Sequence, residues 1–90
     1  MQVEAIIIVK GMVQGVGFRY FVMNLANRLG LTGSVKNLYN GDVEIIVQGD
    51  RSLVNDLIHE VRIGPRFADV RDVKVQLKQI ENIYQRFDIL

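Results

Sequence analysis

The chain contains no cysteine and only one histidine. The first absence removes disulfides and thiolate chemistry, and the second leaves too few ligands for a tetrahedral zinc site. Chemistry without a metal or a cofactor is therefore expected. An excess of charge is missing too: eleven Lys and Arg side chains against ten Asp and Glu leave a net +1. A nucleic-acid partner usually needs a basic face or a high pI, so none is expected, and any grip on an anion has to be local. No stretch is long and apolar enough to span a bilayer, and Met1-Gln2-Val3-Glu4-Ala5 shows neither a basic leader nor a small-residue cleavage site. The expectation is a cytoplasmic protein without a membrane partner.

What is present suits one small folded unit. Ninety residues, 49% apolar and 23% charged, have the balance of a globular chain and leave no room for a second core. One domain over residues 1–90 is expected, monomeric rather than oligomeric.

Periodicity then supplies the elements. Val3 to Lys10 is rich in β-branched residues, with Val3, Ala5, Ile7 and Val9 on one face and Glu4, Ile6, Ile8 and Lys10 on the other, as in a central strand. Phe18, Phe21, Val22, Leu25, Ala26 and Leu29 recur at helical spacing, and Gly30 supplies a stop. Thr32–Asn37 and Val43–Gln48 flank Leu38-Tyr39-Asn40-Gly41-Asp42, the pattern of a β-hairpin with Asn-Gly at its turn. A second helix carries Leu53, Val54, Leu57, Ile58 and Val61, with Asp50 or Ser52 as its cap and Gly64-Pro65 closing it. Ala68 to Leu77 alternates as a further strand. Arg86 to Leu90 can add a short edge strand.

Strand, helix, strand, strand, helix, strand is the order of an α+β, ferredoxin-like βαββαβ sandwich, an antiparallel sheet with both helices on one face. That superfold hosts many activities, so function has to come from a site.

The stretch richest in chemistry is Gly11-Met12-Val13-Gln14-Gly15-Val16-Gly17-Phe18-Arg19, a glycine-rich link from a strand into the first turn of a helix. Such a link can turn several backbone N–H groups toward an anion, next to the positive end of the helix dipole. Arg19 adds a guanidinium whose fork matches two phosphate oxygens. Taken alone, however, the pattern favours a plain turn with Arg19 on the surface. It is neither a nucleotide P-loop, for want of Gly-Lys-Ser/Thr, nor a dinucleotide-binding G-x-G-x-x-G turn.

Two separated motifs carry more weight. The first stretch resembles the acylphosphatase pattern G-x-V-Q-G-V-x-F-R at every fixed position. The run Gly33-Ser34-Val35-Lys36-Asn37-Leu38-Tyr39-Asn40-Gly41-Asp42-Val43, with Gly49 beyond it, resembles that family's G-aromatic-V-K-N-x-x-x-G-x-V pattern. Gly64-Pro65 and Phe87-Asp88-Ile89 fit as well, so the resemblance covers essentially the whole chain.

What the resemblance implies is hydrolysis of the carboxyl–phosphate bond of a small-molecule acyl phosphate, with inorganic phosphate as product or inhibitor. Gln14, Gly15, Val16, Gly17, Phe18 and Arg19 would hold the phosphate, and Asn37 would orient the water. Asn37 has donors and an acceptor to align a water but is no base at neutral pH. In isolation it reads as a cap at the hairpin entrance. Ser34 departs from the family's aromatic, so a packing contact close to the site is either missing or supplied by another residue such as Tyr20 or Tyr39.

Other residues are not promoted to the site. His59 lies off the second helix's apolar stripe, and Lys36 and Arg28 read as ordinary surface charge. Ile6, Ile8 and Ile46 form an apolar patch on the open side of the sheet, for the tail or a partner subunit to cover. Two rival readings remain: a non-catalytic small-anion-binding domain of the same fold, and an RNA-binding module. The latter would show stacking aromatics where Ile6, Ile8, Glu44, Ile46 and Gln48 stand.

Overall fold

A computed structural model describes all 90 residues. Its elements are β1 (Gln2–Met12), α1 (Phe18–Leu29), β2 (Thr32–Asn37), β3 (Val43–Asp50), α2 (Arg51–Ile63), β4 (Asp69–Lys78) and β5 (Phe87–Ile89). The sheet order is β4-β1-β3-β2-β5. The expected βαββαβ sandwich is present, and its four long strands pair antiparallel. β5 is the expected edge strand, but it runs parallel to β2, Gly33 opposite Phe87 and Val35 opposite Ile89, so the five-stranded sheet is mixed.

One apolar cluster joins both helices to one face of the sheet. Val3, Ala5, Ile7 and Val9 of β1 and Val43, Ile45 and Val47 of β3 pack with Phe18, Val22, Leu25 and Ala26 of α1 and with Val54, Leu57 and Val61 of α2. Alternation on the strands and the three-and-four spacing on the helices bring these residues to one interior. Burying each large aliphatic there contributes roughly 1.5–3 kcal/mol.

The helix ends follow from their caps. Gly30 terminates α1 in a left-handed conformation, and the N–H of Leu31 reaches back to the Ala26 carbonyl at 2.8 Å. Asp50 caps α2, accepting from the Ser52 N–H at 2.9 Å and from its hydroxyl at 2.7 Å. The Ser52 hydroxyl first, then its N–H, then the N-terminal ammonium hold the Asp50 carboxyl below the usual carboxylate range. That contribution to stability is complete above the ordinary carboxylate pKa and is lost as the pH falls through the lowered one.

β1 runs past the expected Lys10 to Met12 because a bulge at Lys10/Gly11 keeps it paired with β4. Gly11 adopts φ 131°, and a Cβ there would collide with the Asp69 carbonyl oxygen. The bulge bends the strand just before the glycine-rich link.

The segment between β4 and β5 must cross from one edge of the sheet to the other, and Gln48 anchors it on the open face. Its Nε2 donates to the Asn82 carbonyl at 2.6 Å and to Glu4 Oε1 at 2.7 Å, while its Oε1 accepts from the Tyr84 N–H at 3.0 Å. The tail therefore lies against the Glu4–Gln48 row, and Ile6, Ile8 and Ile46 stay half-buried beside it.

Candidate active site

The link between β1 and α1 makes an anion-receptive end from backbone alone. Gly17 stands at the helix N-cap with φ 77° and ψ 16°, and no side chain caps the helix. The first N–H groups of a helix have no intrahelical partners, so at this end they face outward beside the positive pole of the dipole. Gly15 also has a positive φ, 72°, the left-handed turn from which backbone anion-binding nests are built.

Asn37 arrives from the other side. It ends β2 on the exposed tip of the β2–β3 hairpin, paired in register with Val43. Asn37, Arg19, Gly15, Gly17, Val13, Phe18 and Tyr20 line one cavity of about 170 Å³. Arg19 is the only cation among them, and no carboxylate or imidazole lines the space. A larger cavity of about 510 Å³ lies at the opposite end of the sheet, between Gln2, Thr32, Gln48, Ile80 and Ile83. Its one charged residue, Glu81, is already paired with Lys78 at 3.2 Å. The chemistry-bearing residues belong to the smaller space.

Arg19 is held in place: its Nη1 donates to the main-chain oxygen of Leu90 at 3.0 Å, and the Leu90 N–H donates to the Val35 carbonyl at 2.9 Å. The residue that follows β5 thus braces the guanidinium against the sheet. Sequence reasoning did not find this contact, which joins positions 71 apart through a main-chain atom.

The loop residues divide in their roles. Gly15, Gly17, Phe18 and Arg19 line the cavity, whereas the half-buried Val16 packs against the core. Gln14 does not line it. Its Nε2 donates to the Leu38 and Asp42 carbonyls, both at 2.8 Å, which ties the loop to the hairpin that carries Asn37. Asp42 is the hub of that hairpin, bound by Lys10 Nζ at 2.7 Å and by Asn40 Nδ2 at 3.2 Å. Replacing Gln14 by Ala removes both of these bonds, leaving the Leu38 carbonyl with the Gly41 N–H at 3.1 Å and the Asp42 carbonyl with the Leu38 N–H at 2.8 Å. The expected loss is about 1–3 kcal/mol, read as a lowered denaturation midpoint with an unchanged slope.

Ser34 does not line this cavity. It is buried in the sheet, paired with Ile46 and Asp88, and its alternation with Val35 points it to the open face. Tyr20, on the helix side, is 66% exposed and Tyr39 is fully exposed, so neither stands in for the missing aromatic. Lys36 pairs with Glu44 at 3.7 Å, Arg28 sits in the last turn of α1, and His59 is exposed on α2. No three His, Cys, Asp or Glu side chains come together as a metal-binding group.

Comparison with known proteins agrees in sequence and shape. The family description Acylphosphatase matches residues 5–89. An acylphosphatase of Moorella thermoacetica is 49% identical over 77 residues, covering 86% of this chain and 83% of that protein. The crystal structure of acylphosphatase from Bacillus subtilis superposes with a TM-score of 0.95 at 39% identity, covering 98% of both chains. The structure of an acylphosphatase from Coxiella burnetii gives 0.93 at 37% identity, covering 99% of this chain and 93% of that one.

Proposed function

Since the chain belongs to the acylphosphatase family of acyl phosphate hydrolases, we propose that it cleaves the carboxyl–phosphate bond without a metal, with Arg19 and the loop holding the phosphate and Asn37 aligning the water. The observation that carries this reading is the meeting of Arg19, Asn37 and the uncapped start of α1 at one cavity.

The chemistry follows from those parts. The forked guanidinium and the N–H groups of residues 15–19 bind the phosphate oxygens and stabilise the charge they carry in the transition state. The Asn37 carboxamide hydrogen-bonds a water and fixes it for attack on phosphorus. The water oxygen bonds to phosphorus, the bond to the acyl oxygen breaks, and the carboxylate leaves. A water proton passes to a phosphate oxygen. Carboxylates have pKa values of about 4, so the leaving group needs no general acid, which suits a cavity lined by neither carboxylate nor imidazole.

The test is hydrolysis of benzoyl phosphate by the purified chain in excess chelator. Turnover that survives chelation is the expected result. A folded protein that binds inorganic phosphate but turns nothing over would instead be an anion-binding domain.

A further inference from the structure

The cavity that gathers the anion-binding groups is small. At about 170 Å³ it falls short of the ~300–1,000 Å³ that encloses a drug-sized ligand. It suits a phosphate and its attacking water, so an acyl group of any size has to leave through the mouth and lie on the rim. Of the two aromatic side chains lining the cavity, Phe18 is 2% exposed and packed into the core, while Tyr20 is 66% exposed.

Tyr20 follows Arg19 directly in the first turn of α1, so the helix backbone fixes its position relative to the guanidinium. It lies off the apolar stripe that docks α1, and its hydroxyl makes no hydrogen bond within the protein. An aromatic face presented at the lip of a polar cavity gains most by covering a flat apolar group.

We propose that Tyr20 is the specificity-determining platform for the acyl part of the substrate, and that it favours acyl phosphates with a flat, uncharged, aromatic acyl group; this rests on the hydrolysis reading above. The rim offers no second cation beyond Arg19 to receive a charged acyl chain.

The experiment compares benzoyl phosphate with acetyl phosphate, as the ratio of their kcat/KM values, in the wild type and in Tyr20→Ala, Tyr20→Phe and Tyr39→Ala. Tyr39 is exposed too but does not line the cavity. The ratio should fall about 3- to 10-fold in Tyr20→Ala, the range of one aromatic stacking contact, mainly through KM for benzoyl phosphate. Tyr20→Phe should keep the wild-type ratio, because the ring face and not the hydroxyl makes the contact. A ratio unmoved in Tyr20→Ala overturns the assignment, as does an equal fall in Tyr20→Phe or a larger fall in Tyr39→Ala. A wild type that turns over neither substrate is a different failure, of the hydrolysis reading itself, and removes this one with it.

Discussion

Arg19→Ala should lower turnover of benzoyl phosphate by at least ~10²-fold, the scale of losing one preorganised charge-stabilising donor, and should weaken inhibition by inorganic phosphate. No other cation can take its place. Lys10 is bound to Asp42 at 2.7 Å and Lys36 lies within 3.7 Å of Glu44, and neither lines the cavity. Arg19→Lys should recover only part of the loss. An ammonium keeps the charge but not the fork that grips two oxygens, and it offers a different geometry to the Leu90 oxygen 3.0 Å from Nη1. Steady-state kinetics with phosphate as competitive inhibitor separates these effects, and a fully active Arg19→Ala would sink the proposed mechanism.

How far the sequence could be read depended on whether the signal was local. The bounds of α1 and β2 are found where apolar spacing, Gly30 and the hairpin turn predict them, because each signal acts within a few residues of its effect. β1 and β3 run longer than expected, to Met12 and Asp50. The expected strands stop just before Gly11 and Gly49, and pairing with neighbouring strands carries both through.

The parallel direction of β5 was hidden for a different reason. It is set by the chain crossing the open face under the Gln48 clamp, a long-range constraint with no periodic signature. Arg19 and Asn37 were singled out through two motifs, but the Leu90 brace and the Gln14 tie were not, since both end on carbonyl oxygens that look alike in any sequence. Tyr20 did leave a trace: it is an aromatic residue off the stripe of Phe18, Phe21, Val22 and Leu25.

Asn37→Ala should separate the two readings of that residue. Were Asn37 chiefly a hairpin cap, its loss would cost about 0.5–2 kcal/mol of stability, as other caps do, and turnover would suffer only with folding. The turn, however, is held by Gln14, Asn40, Asp42 and Lys10, and the Asn37 side chain contributes none of those bonds. The expected stability change is therefore within about 0.5 kcal/mol, as for exposed positions without partners. Turnover should nevertheless fall by ~10²-fold, the order expected when a group that positions the reacting water is lost. Phosphate should still bind, because Arg19 and the loop are intact, so kcat drops while the phosphate inhibition constant stays. Asn37→Asp should lose turnover as well and weaken phosphate inhibition, since it sets a carboxylate against the anion in the same cavity. Denaturant unfolding and inhibition kinetics on the two variants decide the matter: a stable, phosphate-binding, inactive Asn37→Ala supports the water-orienting role, and a fully active one removes it.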